Sequence, residues 1–163
     1  MKKLLLSLAL VLPLVANAQK FGHVNSQEIF ASMPELKAVQ AKMDSIQSIY
    51  ENQFVTMREE FNKLVEDYQK NEATMSESIK QFRQQELSDK QQRIELFAQT
   101  IQQDLQKKQQ ELIAPIQERM VKAIQKVGTD NGYTYIFDST VMLYISQDSN
   151  DVSALVKQEL GIK

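Results

Sequence analysis

The stretch GYTYIFDSTVMLYI, Gly132 to Ile145, differs from the long polar region that precedes it. It places aromatic and β-branched residues, which favour strands, on both sides of the turn-forming Asp138-Ser139-Thr140. The pattern predicts a β-hairpin with strands at 133–138 and 141–145. Because a lone two-stranded hairpin is only marginally stable in water, further strands or a partner surface must complete it.

Two long amphipathic segments come before this hairpin. From Leu36 to Tyr68 the apolar residues recur at steps of three and four, a heptad pattern with one extra four-residue step near Tyr50. A second set with helical spacing runs from Ile79 to Val127. The polar stretch KNEATMSES separates them, so residues 34–127 are expected to form an antiparallel coiled-coil hairpin with its tip near 71–78.

Two prolines lie at matching distances from that tip. Pro34 and Pro115 are each about 40 residues away from it, or about 60 Å at 1.5 Å per residue. Pro115 has no N–H for the preceding turn and should bend its helix. One interpretation is a hinge where the helical hairpin leaves the rest of the chain, and the other is a kink without functional consequence.

The two ends of the chain predict a small α+β body. KFGHVN at 20–25 is a further strand candidate, Ser26–Met33 a short helix, and Asp151–Gly161 an amphipathic helix. The body would therefore combine residues 19–33 with 128–163. Its core is too small to support two long helices alone, so oligomerisation is expected. The candidates for the body core and subunit interface are Phe21, Val24, Ile29, Phe30, Tyr135, Ile136, Phe137, Val141, Leu143 and Ile145.

Several apolar residues of the helical hairpin widen its apolar stripe beyond a narrow two-helix seam or occupy its tip. One interpretation is a broader buried face between the helices. The other is an apolar surface offered to a partner, to which methionine adapts easily. The candidates for such a surface are Ile49, Val55, Met57, Val65, Met75 and Leu96.

The first 18 residues, MKKLLLSLALVLPLVANA, have the pattern of a secretory signal peptide with cleavage after Ala18. The apolar run is shorter than the roughly 20 residues of a membrane-spanning helix, and Pro13 interrupts it. Loss of Lys2 and Lys3 takes the formal net charge from −2 to −4. That balance argues against nucleic acid as a partner, since phosphate binding requires clustered positive charge.

The composition offers little material for an active site. There is no cysteine and a single histidine, His23, beside apolar residues. No Gly-rich phosphate loop and no metal-ligand spacing occurs in the sequence. Neither enzymatic activity nor a cofactor is therefore expected.

The succession of a signal peptide, FGHVNSQEIF, a helical hairpin and RMVKAIQKVGTDNGYTYIFDSTVMLYISQDSNDVSALVKQEL resembles the Skp (OmpH) family of periplasmic chaperones. The resemblance spans the mature chain and is most specific at its two ends. It implies a homotrimer in which the terminal strands of three chains build a small β-barrel body and three helical hairpins surround a cavity. It also implies an ATP-independent holdase that keeps unfolded outer-membrane β-barrel proteins from aggregating in the periplasm before membrane insertion.

The charge of this chain departs from the strongly basic members of that family. Basic and acidic residues alternate along the helical hairpin, so the resemblance does not extend to electrostatic capture of acidic clients or lipopolysaccharide. Peripheral contact with outer-membrane lipids stays open. Two alternatives to the chaperone are a structural coiled-coil spacer of the cell envelope and an adaptor that joins an envelope complex through the hairpin tip.

Overall fold

The structure, a computed structural model, describes residues 19–162. The predicted signal peptide, residues 1–18, lies outside the described residues. Long helices and a small sheet dominate the fold, as the sequence predicts. Helix α1 spans Ser26–Ser32, α2 Glu35–Asn71, α3 Glu77–Asp130 and α4 Ser153–Leu160. The strands are β1, Phe21–Val24; β2, Tyr135–Asp138; and β3, Asn150–Asp151.

Helices α2 and α3 form an antiparallel hairpin, joined by a 3-10 turn at Glu72–Thr74. We call residues 35–115 the arm. The Lys90 ammonium lies 2.6 Å from the Glu60 carboxylate across the arm, and Gln84 donates to the Tyr68 hydroxyl at 2.9 Å. Helix α2 has no fully buried residue, because a two-helix seam remains open along both of its sides.

Helix α3 extends past the glycine that follows Val127 and ends at Asp130. The Asn131 N–H donates to the Val127 carbonyl at 3.1 Å, and Gly132 turns the chain with a φ of +67°. Only glycine adopts this left-handed conformation at little cost. The turn directs the chain back along the helix into β2.

The sheet has the order β2-β1-β3, and both pairings are parallel. Phe21 stands opposite Tyr135 and Val24 opposite Asp138, so the N-terminal strand lies between two segments from the C-terminal end. The predicted β-hairpin is therefore wrong for the single chain. Ser139–Val141 forms a 3-10 turn, and no strand occurs at 142–149.

The reason lies in the residues that end β2. The Asp138 side chain accepts the Thr140 N–H at 3.0 Å and caps a 3-10 turn, which follows β2 in place of a tight hairpin turn. Strand-forming composition in VMLYI indicates a capacity to pair, but it does not identify the partner strand.

The core lies where the arm joins the body. Helices α1 and α4 pack together against the base of α3 and one face of the sheet. Val24 and Ile29 are buried, and Phe30 and Ile136 pack against the same cluster. The remaining buried side chains are Met33, Ile116, Ala123, Val127, Val152, Val156 and Leu160. One continuous apolar cluster thus holds the arm on the body.

Candidate functional site: an open sheet face and an exposed arm

The face of the sheet that points away from the core carries three aromatic side chains. Phe21 stacks on Tyr135 with ring centroids 5.9 Å apart, and Phe137 lies 5.9 Å from Tyr135 and 6.2 Å from Phe21. Because side chains alternate along a strand, Tyr135 and Phe137 point outward while Ile136 points into the core. We call these three aromatic residues the open sheet face. All three are exposed in the single chain.

A second apolar surface follows directly after β2. Val141, Leu143 and Tyr144 are almost fully exposed, and Ile145 is half-buried. Within the described part of the chain, the backbone groups of residues 143–145 have no hydrogen-bond partner. We call residues 141–145 the exposed segment. A strand-forming stretch with free backbone groups is competent to add to a sheet edge.

Both ends of the exposed segment are attached to the body. At its start, the Ser26 hydroxyl donates to the Asp138 carboxylate. Burial raises the pKa of Asp138, but the hydrogen bonds from Ser26 and Thr140 outweigh that effect and hold the pKa below its usual range. Beyond its other end, His23 Nδ1 lies 2.9 Å from Ser149 Oγ. The segment between these two attachments is exposed to solvent.

The arm carries further exposed apolar side chains. Of the predicted candidates, Ile49, Val55 and Leu96 are exposed, whereas Met57, Val65 and Met75 are half-buried. Ile79 and Phe82 are exposed as well, although their helical spacing predicts that they face the seam. Phe82 is 67% exposed, so a position that fits a helical period can still point away from the partner helix. The exposed side chains lie on both helices of the arm.

The middle of the arm contains a groove of about 250 Å³. It lies near the extra four-residue step of the heptad pattern, where the helices do not interlock regularly. The Tyr50 hydroxyl donates to the Asp104 carboxylate, and its ring meets Phe97 edge-on at 6.2 Å. The hydrogen bond to Asp104 raises the pKa of Tyr50, with smaller contributions from burial and from the negative charge. The groove is lined by Gln47, Tyr50, Glu51, Phe54, Ala98, Ile101 and Leu105.

The base of the arm is held by one arginine. Arg119 of α3 forms an ion pair with Glu35 at the start of α2 and donates to the Leu160 carbonyl of α4 at 2.7 Å. Pro34 precedes Glu35, and Pro115 lies about one helical turn before Arg119. Both proline hinge candidates therefore lie close to the ion pair between Glu35 and Arg119.

Within residues 19–162, no helix is long and apolar enough to cross a membrane. In the same part of the chain, no group of three or more His, Cys, Asp or Glu side chains is positioned to hold a metal ion.

Comparison with known proteins identifies the family. A family model described as "Outer membrane protein (OmpH-like)" matches residues 20–160. The chain belongs to the OmpH-like family. This match includes both ends of the body and the whole arm, as the resemblance of the sequence implied.

A solved structure supports the OmpH-like fold. The crystal structure at 2.83 Å resolution of a candidate outer membrane chaperone (OmpH-like) from Caulobacter crescentus CB15 matches with a TM-score of 0.72 and 15% sequence identity. The match covers 87% of this chain and 83% of the Caulobacter chain. At this identity the likeness supports the fold alone. A search of curated proteins finds no significant match.

The predicted body residues of this OmpH-like chain fall into two groups. Val24, Ile29, Phe30 and Ile136 belong to the core of the single chain or pack against it. The others lie on the open sheet face or in the exposed segment, so the single chain does not bury them as a core; these are Phe21, Tyr135, Phe137, Val141, Leu143 and Ile145.

Proposed function

We propose that this OmpH-like chain is an ATP-independent holdase chaperone of the periplasm. Three copies would enclose an unfolded outer-membrane β-barrel protein between their arms and prevent its aggregation before membrane insertion. The observation that carries the proposal is the set of exposed apolar side chains along an arm that extends far from the core. Family membership supports the same role.

The chemistry of the client fits such a surface. Strands of outer-membrane barrels alternate apolar and polar residues, and their unpaired edges aggregate in water. Scattered apolar side chains on several arms provide many weak contacts, which together hold a client firmly while each contact still exchanges. A client can therefore leave without nucleotide hydrolysis once folding in the membrane offers more favourable contacts.

Assembly as a homotrimer is the second part of the proposal. The open sheet face and the exposed segment form an apolar surface of the kind that marks protein interfaces. Strand β2 is also an edge of the sheet, so its outer backbone groups are free to pair with a segment of another copy. Joining three bodies would bury this surface and give the small core the support that it lacks as a single chain.

The periplasmic location of the proposal rests on the signal-peptide pattern of residues 1–18 and on the family. We do not propose that the chain contacts outer-membrane lipids. The described arm instead carries several ion pairs that neutralise its basic residues locally, among them Lys70 with Glu66 and Arg83 with Glu86.

A direct test is the aggregation of a urea-denatured outer-membrane β-barrel protein after dilution, followed by light scattering. The mature chain is expected to suppress scattering near one trimer per client. Scattering that continues at several-fold excess of chaperone would contradict the holdase and favour the envelope spacer or the adaptor.

Replacing Ile49, Val55 and Leu96 together with Ser is expected to weaken client holding without dissociating the trimer. Each of these half-exposed side chains can bury further apolar area against a client, with about 1 kcal/mol of stabilisation each. The amount of chaperone needed for half-suppression of scattering should rise roughly a hundredfold, because each 1.4 kcal/mol is a factor of ten. A matched control replaces the exposed polar residues Asn52, Gln53 and Gln99 with Ser. Equal loss in both variants, or melting of the arm seen by circular dichroism, would contradict a client-contact role.

The hinge at the prolines remains a proposal. Pro115 lies inside α3 and has no N–H to donate to the Glu111 carbonyl. Amide hydrogens of residues 112–117 are therefore expected to exchange faster than those of the adjoining turns, and Pro115→Ala should slow them. Exchange that is uniform along α3 would indicate a kink without a hinge.

A further inference from the structure

We propose that the groove in the middle of the arm selects client segments in which Lys or Arg residues neighbour apolar ones. The inference rests on the proposed chaperone function and specifies the chemistry of the client segments that the arm prefers. It concerns residues 43–57 of α2 and 94–106 of α3, which we call the mid-arm band. Contacts of Tyr50 with Phe97 and Asp104 place these two stretches beside each other.

The floor of the groove is apolar. Phe54, Ile101 and Leu105 line it, and the small side chain of Ala98 leaves it open. Val55, which is exposed, lies one helical turn beyond Glu51 on the same side of α2 and extends the rim. The groove thus offers space and apolar contact for a side chain of an unfolded segment.

All the charges in the mid-arm band have the same sign. Its charged residues are Asp44, Glu51, Glu95 and Asp104, and it contains no Lys or Arg. The nearest basic residues adjoin the band on both helices, at Lys42, Arg58, Arg93 and Lys107. Of these, Arg58 holds its guanidinium 5.9 Å from the centroid of the Phe54 ring and places one positive group beside the groove. This uniformity contrasts with the rest of the arm, where opposite charges pair.

The four carboxylates are not neutralised within the chain. In the part that the structure describes, none of them belongs to an ion pair, and their hydrogen bonds come from uncharged donors. Gln40 donates to Asp44, Gln47 to Glu51, Gln91 to Glu95 and Tyr50 to Asp104. Their negative charge therefore remains available to an external cation.

One of these carboxylates lines the groove, and two lie about one helical turn from its wall. Glu51 lines it directly. Asp44 precedes Gln47 by three residues and Glu95 precedes Ala98 by three, which places each beside a residue of the groove wall on its own helix. The apolar floor therefore has an excess of negative groups near it, with Arg58 as a positive group at the Phe54 end.

Charge complementarity identifies the occupant. In an extended segment, residues two positions apart lie about 7 Å from each other on one face, close to the 5.4 Å of one helical turn. An apolar side chain in the groove would therefore bring a nearby Lys or Arg to Glu51, Asp44 or Glu95. A Glu or Asp at the same place would face like charges, so acidic segments are rejected.

The test uses two short labelled peptides of equal length with the repeat Phe-Ser-Lys-Ser or Phe-Ser-Glu-Ser, which places each charged residue two positions from Phe, titrated with the mature chain and followed by fluorescence anisotropy. The Lys peptide is expected to bind about tenfold more tightly, because about three exposed charge contacts contribute a factor of two to three each. At about 1 M ionic strength, where the screening length is about 3 Å, the difference should largely disappear.

The triple variant Asp44→Asn, Glu51→Gln, Glu95→Gln is expected to weaken Lys-peptide binding about tenfold, without weakening binding of the Glu peptide. The control Glu59→Gln, Asp67→Asn, Glu72→Gln makes the same charge change nearer the tip and should leave the preference intact. Ala98→Met, which fills the groove and keeps every charge, should weaken the Lys peptide as well. Circular dichroism verifies that each variant remains helical.

Three results would overturn the inference: equal affinity for the two peptides, no binding of either, or an unchanged preference in the groove variants. Light scattering with a urea-denatured barrel protein separates this failure from that of the proposed function. Suppressed aggregation without a charge preference would reject the selective groove and retain the holdase. Aggregation that the chain does not suppress would reject the holdase itself.

Discussion

Phe137→Asp is expected to dissociate the proposed trimer while each chain remains folded. The Phe137 ring is 42% exposed in the single chain and lies on the open sheet face beside Phe21 and Tyr135. In a trimer that covers this face, the new carboxylate would be buried without a partner, at a cost of several kcal/mol per chain. Sedimentation velocity at micromolar concentration should show a single-chain species with the helical circular dichroism of the wild type.

The neighbouring residue provides a matched comparison. Ile136 packs against the core, so Ile136→Asp is expected to unfold the body as well as prevent assembly. The sequence predicts one role for Ile136 and Phe137, in the body core and interface, whereas in the structure Ile136 packs against the core and Phe137 is exposed. An intact trimer in the Phe137→Asp variant would remove the open sheet face from the interface.

Ile29→Ala is expected to destabilise the body by about 2–5 kcal/mol. Ile29 has 0% exposure and lies in α1, packed in the cluster that joins α1, α3 and α4. Because that cluster is small, the lost contacts and the resulting cavity cannot be compensated elsewhere. The unfolding temperature measured by circular dichroism should fall by roughly 10 °C or more.

Gln27→Ala is the matched control for this change, since Gln27 is an exposed residue of the same helix. Its unfolding temperature should stay within about 2 °C of the wild type, because exposed substitutions change stability little. If Ile29→Ala left the unfolding temperature unchanged, the cluster at the base of the arm would not be the stabilising core.

The arm could be predicted from the sequence because its determinants are local. Residues three and four positions apart share a helix face, so the apolar steps from Leu36 onward identify both the helix and its need for a partner. The same local reasoning could not place Phe82, which fits the period and yet is exposed. The angle at which a residue meets the partner helix depends on how the two helices cross.

The pairing of strands in the body, in contrast, depends on contacts between residues that are far apart in the sequence. Strand-forming residues identify β1 and β2, but the pairing of Phe21 with Tyr135 joins positions more than a hundred residues apart. The predicted pairing of β2 with residues 141–145 was wrong because proximity along the chain favoured a hairpin. In the structure, the turn capped by Asp138 follows β2, and β2 pairs with the edge of β1 instead.

By itself, the sequence determined that the chain has two long helices, strand-forming ends and an excess of apolar side chains, because propensity and periodicity are properties of neighbouring residues. Only the tertiary structure decided which of these side chains a single chain can bury. Val24 and Phe21 lie in the same short strand, yet one is enclosed by α1 and α4 and the other remains open. Burial depends on what packs against a face of the sheet, and that is set by contacts between distant parts of the chain.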